Sequence, residues 1–282
     1  MPTVDYSLFR VNFINPTQRS FLHGNFTSKE IFLRALDERP GAELRKGYTW
    51  HIGNIDMFSE DTGYFAVGRT TKATIEKFDP NSGNFVAEEH ETSPYTHCVF
   101  NAAIGFIGIA KKSKLAPSAM GIANQIERLL LKTKMVADNE IQVEIPPIPD
   151  PNGFLQELRS AYRVLRYTAT FHGPNPFDAD EYFQKPLSKY LSAAKGQKGK
   201  AQISGVDLDR ETLGAVTRST AATGNQASAR IRRNKKKDPV TINLKGDPVS
   251  RSYDEETHQP RVVLEELNTV YERIRKDERV SN

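Results

Sequence analysis

The stretch YTWHIGNIDMFSEDTGYFAVGRTTKATIEKF, residues 48–78, decides the fold class of this chain. Its apolar and polar residues alternate with a period of two, which is typical of strands with one buried face. SEDTG at 59–63 predicts a turn, so the stretch predicts a hairpin of two long strands. NFVAEEHE continues it after the turn DPNSG, and THCVFN and IGFIGIAKK predict further strands. The sequence therefore predicts a largely antiparallel sheet.

Helices are predicted on either side of these strands. Thr27 and Glu30 have the spacing of a capping box, in which each side chain satisfies a free backbone N–H group. A second helix is expected after Ser118, with Ile122 and Ile126 on its apolar face. An apolar stripe between residues 263 and 274 predicts a closing amphipathic helix. The predicted fold class is therefore α+β.

The chain of 282 residues is long for one core, which favours two domains. PPIPDP at 146–151 predicts the connector. We predict an α+β domain over 1–161, with an antiparallel sheet and flanking helices, and a smaller basic α+β domain over 162–282. In the second domain RVLRYTATFH and KAQISGVDL predict strands, Asp178 and Asp209 predict helix caps, and SRSYDEETHQP predicts a loop. Pro186 is expected to kink the helix that Asp178 begins.

Composition predicts a cytoplasmic protein. No apolar run approaches the roughly 20 residues that cross a bilayer, and no basic segment precedes an apolar one at the N-terminus. Cys98 is the single cysteine, so an intramolecular disulfide is excluded and a reducing compartment is favoured. Its apolar neighbours predict a buried thiol.

Positive charge is concentrated between residues 185 and 245. Fourteen lysines and arginines lie there against four acidic residues, whereas the whole chain has a net charge of only +4. A local field of this sign attracts polyanions and accelerates their encounter. The region therefore predicts binding to a phosphate backbone, with a solvated loop as the alternative for the run RIRRNKKK.

A predicted hairpin holds part of this charge. Residues 227–231 and 240–244 alternate between apolar and polar, and NKKKDP connects them. A hairpin holds cations on a rigid surface, so less entropy is lost on docking than with a flexible tail. The candidate nucleic-acid contacts are Lys195, Lys198, Lys200, Arg218, Arg230, Arg232, Arg233, Lys235, Lys236 and Lys237.

Signals for catalysis are weak by comparison. None of the six histidines has zinc-site spacing with another histidine or with Cys98, and no phosphate-binding glycine loop is present. Glu140 and Glu144 are spaced to share one strand face, but no lysine follows them within the strand. We therefore predict no metal, no cofactor and a binding protein in preference to an enzyme. A metal-dependent nuclease and an RNA-binding module are the alternatives.

YTWHIGNID, YFAVGRTTKATIEKFD, VFNAAIGFIGIAKKSKLAPSAMGIANQIERLL and IQVEI, with the closing helix, cover about half of the chain. In pattern and order they resemble RexA-type phage exclusion proteins and the DNA-binding subunits of two-component phage-defence systems. The resemblance implies a cytoplasmic homodimer that binds DNA in preference to RNA, senses phage replication and acts through a membrane or effector partner. The basic segment matches least, so the DNA surface itself rests on charge.

Overall fold

A computed structural model describes residues 2–14, 26–172, 183–244 and 246–276. The strands are β1 (Thr3–Arg10), β2 (Asn12–Ile14), β3 (Gly41–Arg45), β4 (Tyr48–Met57), β5 (Thr62–Asp79), β6 (Asn84–Thr92), β7 (Tyr95–Asn101), β8 (Phe106–Ala110), β9 (Gln142–Glu144), β10 (Arg163–His172), β11 (Lys198–Ser204), β12 (Ala227–Arg232), β13 (Val240–Asn243) and β14 (Ser250–Asp254). The helices are α1 (Ser28–Asp37), α2 (Ala119–Leu130), α3 (Lys134–Ala137), α4 (Asn152–Ser160), α5 (Gln184–Ala193), α6 (Arg210–Ala222) and α7 (Pro260–Arg275). The α+β class predicted from the sequence is confirmed.

The hairpin predicted at residues 48–78 lies within a large antiparallel sheet. Its path is β14-β1-β8-β7-β5-β4-β3, and β6 pairs with the far half of β5. β5 is 18 residues long. Its first half pairs with both β4 and β7, and its second half pairs with β6. The alternation of Phe65 and Val67 places both side chains in the core, with no exposed surface.

β14 departs from the prediction, because SRSYDEETHQP was expected to be a loop. Ser250–Asp254 instead pairs antiparallel with β1, with Ser252 opposite Asp5. The strand lies at the sheet edge, where its side chains stay largely exposed, so its sequence shows no apolar alternation. The hydroxyl of Ser252 donates to the Asp5 carboxylate at 2.5 Å.

A second, four-stranded sheet has the order β11-β10-β12-β13, and all its pairs are antiparallel. The hairpin predicted from residues 227–244 is confirmed as β12 and β13. β2 and β9 form a separate short pair, which leads into the proline-rich segment.

Helix caps follow the sequence closely. Thr27 and Glu30 form the expected capping box, Ser118 accepts the Gly121 N–H group at the start of α2, and Asp209 accepts from Thr212 at the start of α6. The helix cap predicted at Asp178 lies outside the described residues. Pro186 does not kink α5, because α5 begins at Gln184 and the first turn requires no N–H donor from proline.

Two apolar clusters form the interior. One lies between the large sheet and α1 and α2, and includes Phe65 and Ile122. The other joins the opposite side of the large sheet to α6, α7 and the small sheet, from Leu8 through Leu267 to Ala229. The predicted boundary at 161/162 falls between the two sheets, but β14 and α7 return to the first sheet and share its core.

The β5–β6 arm, formed by residues 71–79 and 84–92, extends beyond the other strands. β6 pairs only with β5 in the described structure. The rings of Phe78 and Phe85 meet at its tip, 5.4 Å apart, and Phe85 is 82% exposed. Within the described residues, no helix is long and apolar enough to span a membrane.

Helix α7 lies close to the large sheet at Gly108. A Cβ atom there would overlap Leu267 Cδ1 and lie 3.1 Å from Val99 Cγ2. Gly108→Ala is expected to lower the free energy of unfolding by about 1–3 kcal/mol, because the buried Leu267 side chain must leave its position to make room. Denaturant unfolding measures the change.

Gly53→Ala is the matched control, since no atom lies within 4 Å of a Cβ placed there. We expect it to change the free energy of unfolding by less than about 0.5 kcal/mol. Equal losses in the two variants would contradict the close packing of α7.

Candidate nucleic-acid interface

One face of the small sheet is polar and basic, because residues directly opposite each other on paired strands share a face. We call this the basic face. It comprises Arg166, Thr168, Thr170 and His172 of β10, Lys198, Lys200, Gln202 and Ser204 of β11, Ser228, Arg230 and Arg232 of β12, and Thr241 and Asn243 of β13. No acidic residue occurs in this set, and most of its members are exposed.

The opposite face of the small sheet is apolar and covered by helices. Tyr167 packs against Phe154 of α4 and shares a hydrogen bond of 2.9 Å with the Thr217 hydroxyl of α6. Burial raises the pKa of Tyr167 to about 12. Phe171 meets Phe183, next to α5, with ring centroids 6.3 Å apart. The helices therefore pack against the apolar face of the small sheet. The alternation of side chains along each strand places the cationic residues on the other face.

Two pairs of arginines lie directly opposite each other on β10 and β12. Arg166 faces Arg230, and Arg163 faces Arg232 on the far side of a bulge. Arg166 and Arg230 are both exposed. Directly opposed like charges destabilise a strand pair, and an anion near both guanidinium groups would relieve their repulsion. The exposed pair forms the centre of the candidate site.

The structure brings several of the predicted contacts onto this face. Lys198, Lys200, Arg230 and Arg232 belong to it, although Arg232 is half-buried. Lys195 is exposed just after α5, where its φ of 55° marks the end of the helix. Lys235, Lys236 and Lys237 are exposed in the turn between β12 and β13.

Asn234 shapes that turn. Its side-chain oxygen accepts the backbone N–H groups of Lys236 and Lys237, at 3.1 and 3.0 Å. The ammonium group of Lys235 lies 5.7 Å from the Tyr162 ring centroid. The run RIRRNKKK is therefore a solvated loop only in part. Its first three residues, 230–232, belong to β12, and the remaining residues lie in the turn that follows.

Two predicted contacts do not lie on the basic face. Arg218 is buried on α6, and its guanidinium donates to the backbone carbonyl of Arg273 at 3.2 Å, near the C-terminal end of α7. Arg233 donates twice to the Glu157 carboxylate of α4, at 3.1 and 3.0 Å. Both guanidinium groups join structural elements, and neither lies on the basic face.

Sequence reasoning missed Arg163 and Arg166. Both lie in RVLRYTATFH, the predicted strand that became β10, outside the residues 185–245 where positive charge is concentrated. The alternation of Arg166, Thr168 and Thr170 was available in the sequence. The pairing of Arg166 with Arg230 could not be predicted from the sequence, because the two positions are 64 residues apart and only the order of the strands in the sheet brings them together.

A charged cluster closes one end of the basic face. The Glu144 carboxylate of β9 lies 3.2 Å from His172 Nε2 and 3.4 Å from Lys198 Nζ. His172 is the main cause of a lowered Glu144 pKa, and Lys198 adds to it. Both ring nitrogens of His172 are buried. The cluster therefore fixes β9 against β10 and β11.

The other candidate reactive groups are dispersed. Glu140 precedes β9 with a φ of 55°, so the predicted shared face with Glu144 is wrong. His90 lies 3.2 Å from Glu88 on the β5–β6 arm. Cys98 is buried, as predicted, and burial raises its pKa. Across the described ranges, no three histidine, cysteine or carboxylate side chains are grouped to hold a metal ion.

Comparison with known protein families and with characterised proteins found no match to this chain.

Glu144→Gln is expected to lower the free energy of unfolding at pH 7 by about 0.5–1 kcal/mol, a small value because the group is partly exposed. The folded-state pKa of Glu144 is lowered from 4.5, so its contribution is present above 4.5 and disappears as pH falls through the folded-state pKa. Urea unfolding at pH 7 and at about pH 3 tests this difference.

Glu140→Gln, an exposed change four residues away, is the control. It is expected to leave stability unchanged at both pH values. A gap between Glu144→Gln and the wild type that stays constant down to pH 3 would contradict the assigned ion pair.

Proposed function

We propose that this protein binds DNA through its phosphate backbone along the basic face. The observation that carries the proposal is the exposed pair of Arg166 and Arg230, directly opposite each other on neighbouring strands. A phosphate placed between them would offset a repulsion that the protein alone leaves in place. Guanidinium groups also match phosphate oxygens with two parallel hydrogen bonds.

The composition of the rest of the face supports the same ligand. Lys200 adds positive charge along β11, Glu144 partly offsets the charge of Lys198, and hydroxyl or amide groups occupy other positions of the face. Such side chains provide most contacts to phosphate and sugar in protein–DNA complexes, which orient the protein without reading sequence. The face is therefore suited to binding that depends weakly on base sequence.

The turn between β12 and β13 extends the charged surface. Lys235, Lys236 and Lys237 follow the strand that carries Arg230, so a nucleic acid lying across the face would also reach the turn. Each additional lysine near a phosphate releases a counterion and steepens the dependence of affinity on salt.

The choice of DNA over RNA comes from the resemblance to phage exclusion proteins. In that setting DNA contact would be the input of a non-catalytic sensor in antiphage defence. A cytoplasmic location, a homodimer and a membrane or effector partner belong to the same prediction.

The double variant Arg166→Glu/Arg230→Glu tests the interface. We expect affinity for duplex DNA to fall at least about tenfold at 100 mM salt, similarly for unrelated sequences, with a shallower salt dependence. Fluorescence anisotropy over a salt series gives both quantities.

Lys46→Glu/Lys132→Glu makes the same change in net charge at two exposed lysines outside the small sheet. This control variant is expected to keep most of the wild-type affinity for duplex DNA. If both double variants weaken binding equally, net charge and not the basic face governs it. If neither changes affinity, the proposed interface is wrong.

A further inference from the structure

A cavity of about 390 Å³ lies at the end of the basic face, beside the charged cluster. It is a half-open cleft lined by α2, the end of β9 and the segment that follows it, the ends of β10 and β11, and the loop between α6 and β12. Thr170, His172 and Lys198 belong both to its lining and to the basic face. A chemical group attached to a phosphate backbone on the basic face can therefore reach the cavity while the backbone itself stays on the face.

The loop that closes the cavity is held in place by close packing. Gly224 has a φ of 68°, and a Cβ atom there would lie 2.7 Å from Pro146 Cγ. The next residues are fixed by hydrogen bonds, since Gln226 N–H donates to the Thr170 hydroxyl at 2.9 Å. The loop and the proline-rich segment therefore form a preformed wall, as in most small-ligand sites.

The cavity lining contains two acceptor groups, the Glu127 carboxylate and the Asn225 side-chain oxygen. It also contains Lys198, whose ammonium group is paired with Glu144. One oxygen of Glu127 accepts the Ile145 N–H group at 2.9 Å. Partial burial raises the Glu127 pKa, and the nearby charge of Glu144 adds to this effect. Asn225 is only 5% exposed, and its Oδ1 accepts no hydrogen bond from the described residues. A ligand that donates N–H groups would satisfy acceptors that the protein leaves poorly compensated.

The same cavity has apolar surface for a planar group. Met120, Ile145 and Pro146 line it alongside the polar residues. Its volume lies within the roughly 300–1,000 Å³ typical of small-molecule sites. A flat, partly apolar ring with amino groups on its edge matches both kinds of lining.

We propose that this cavity receives an unpaired nucleobase bearing an exocyclic amino group, from a DNA strand whose phosphates lie on the basic face. The inference rests on the proposed function and adds to it a preference among bases. Unpaired bases can be read by hydrogen bonds to their Watson–Crick edges, which base pairing occupies in duplex DNA. The Glu127 carboxylate is the acceptor that selects for the amino group.

Oligo(dC) and oligo(dU) of 12 nucleotides are the probes, because they share backbone and ring size. Cytosine presents an amino group where uracil presents a carbonyl oxygen. The wild-type protein is expected to bind oligo(dC) about tenfold more tightly than oligo(dU), the discrimination of one good base-edge contact. Anisotropy titrations at several salt concentrations separate this preference from backbone binding.

Glu127→Gln keeps the acceptor for Ile145 N–H and replaces the other carboxylate oxygen with an amide donor. The preference for oligo(dC) is expected to fall to about twofold or less, with the salt dependence unchanged. Gln125→Glu, the reverse change on the same helix but outside the cavity lining, is expected to keep the wild-type preference. Met120→Trp fills the cavity and provides a second variant that should also remove the preference.

The outcomes separate the two proposals. Equal wild-type affinity for the two oligonucleotides, or a preference that survives both Glu127→Gln and Met120→Trp, overturns the base site and leaves backbone binding intact. Binding to duplex DNA without binding to either oligonucleotide also overturns the base site and leaves backbone binding intact. Failure to bind any of these DNAs overturns the proposed function as well.

Discussion

The fold depends on the burial of α7 between the large sheet and α6, which in turn packs on the small sheet. Leu267 packs over Gly108 of the large sheet, and the same apolar cluster continues through α6 to Ala229 of the small sheet. Neither sheet can bury its inner face without these helices, so the two are expected to form cooperatively. The C-terminal helix thereby determines the position of the basic face, although it contributes no residue to it.

The charged cluster illustrates how such a fold positions a site. Glu144 comes from the short β9 strand, whereas His172 and Lys198 come from the small sheet. The contact of Glu144 with His172 and its ion pair with Lys198 join β9 to the strand ends, which sets one wall of the cavity and one limit of the basic face. Partly buried charges that are mutually paired favour one arrangement over the alternatives.

Local sequence patterns predicted much of this structure. The predictions failed where contacts between residues distant in the sequence determine the structure. The capping box at Thr27, the cap at Asp209 and the hairpin of β12 and β13 depend on neighbouring residues, so the sequence was sufficient. β14 is a polar edge strand that exists because β1 offers a partner. Arg218 and Arg233 were assigned to the interface by charge alone, because their partners on α7 and α4 are distant in sequence. The cavity likewise combines segments that no local pattern connects.

The β5–β6 arm gives the molecule an uneven distribution of charge. Between residues 71 and 92 it carries five acidic residues and two lysines, opposite in sign to the basic face. The molecule therefore has an electric dipole, on which the field of a polyanion exerts a torque. A polyanion is therefore repelled from the arm and attracted to the basic face, so the aromatic tip formed by Phe78 and Phe85 belongs to the part of the molecule that a polyanion avoids.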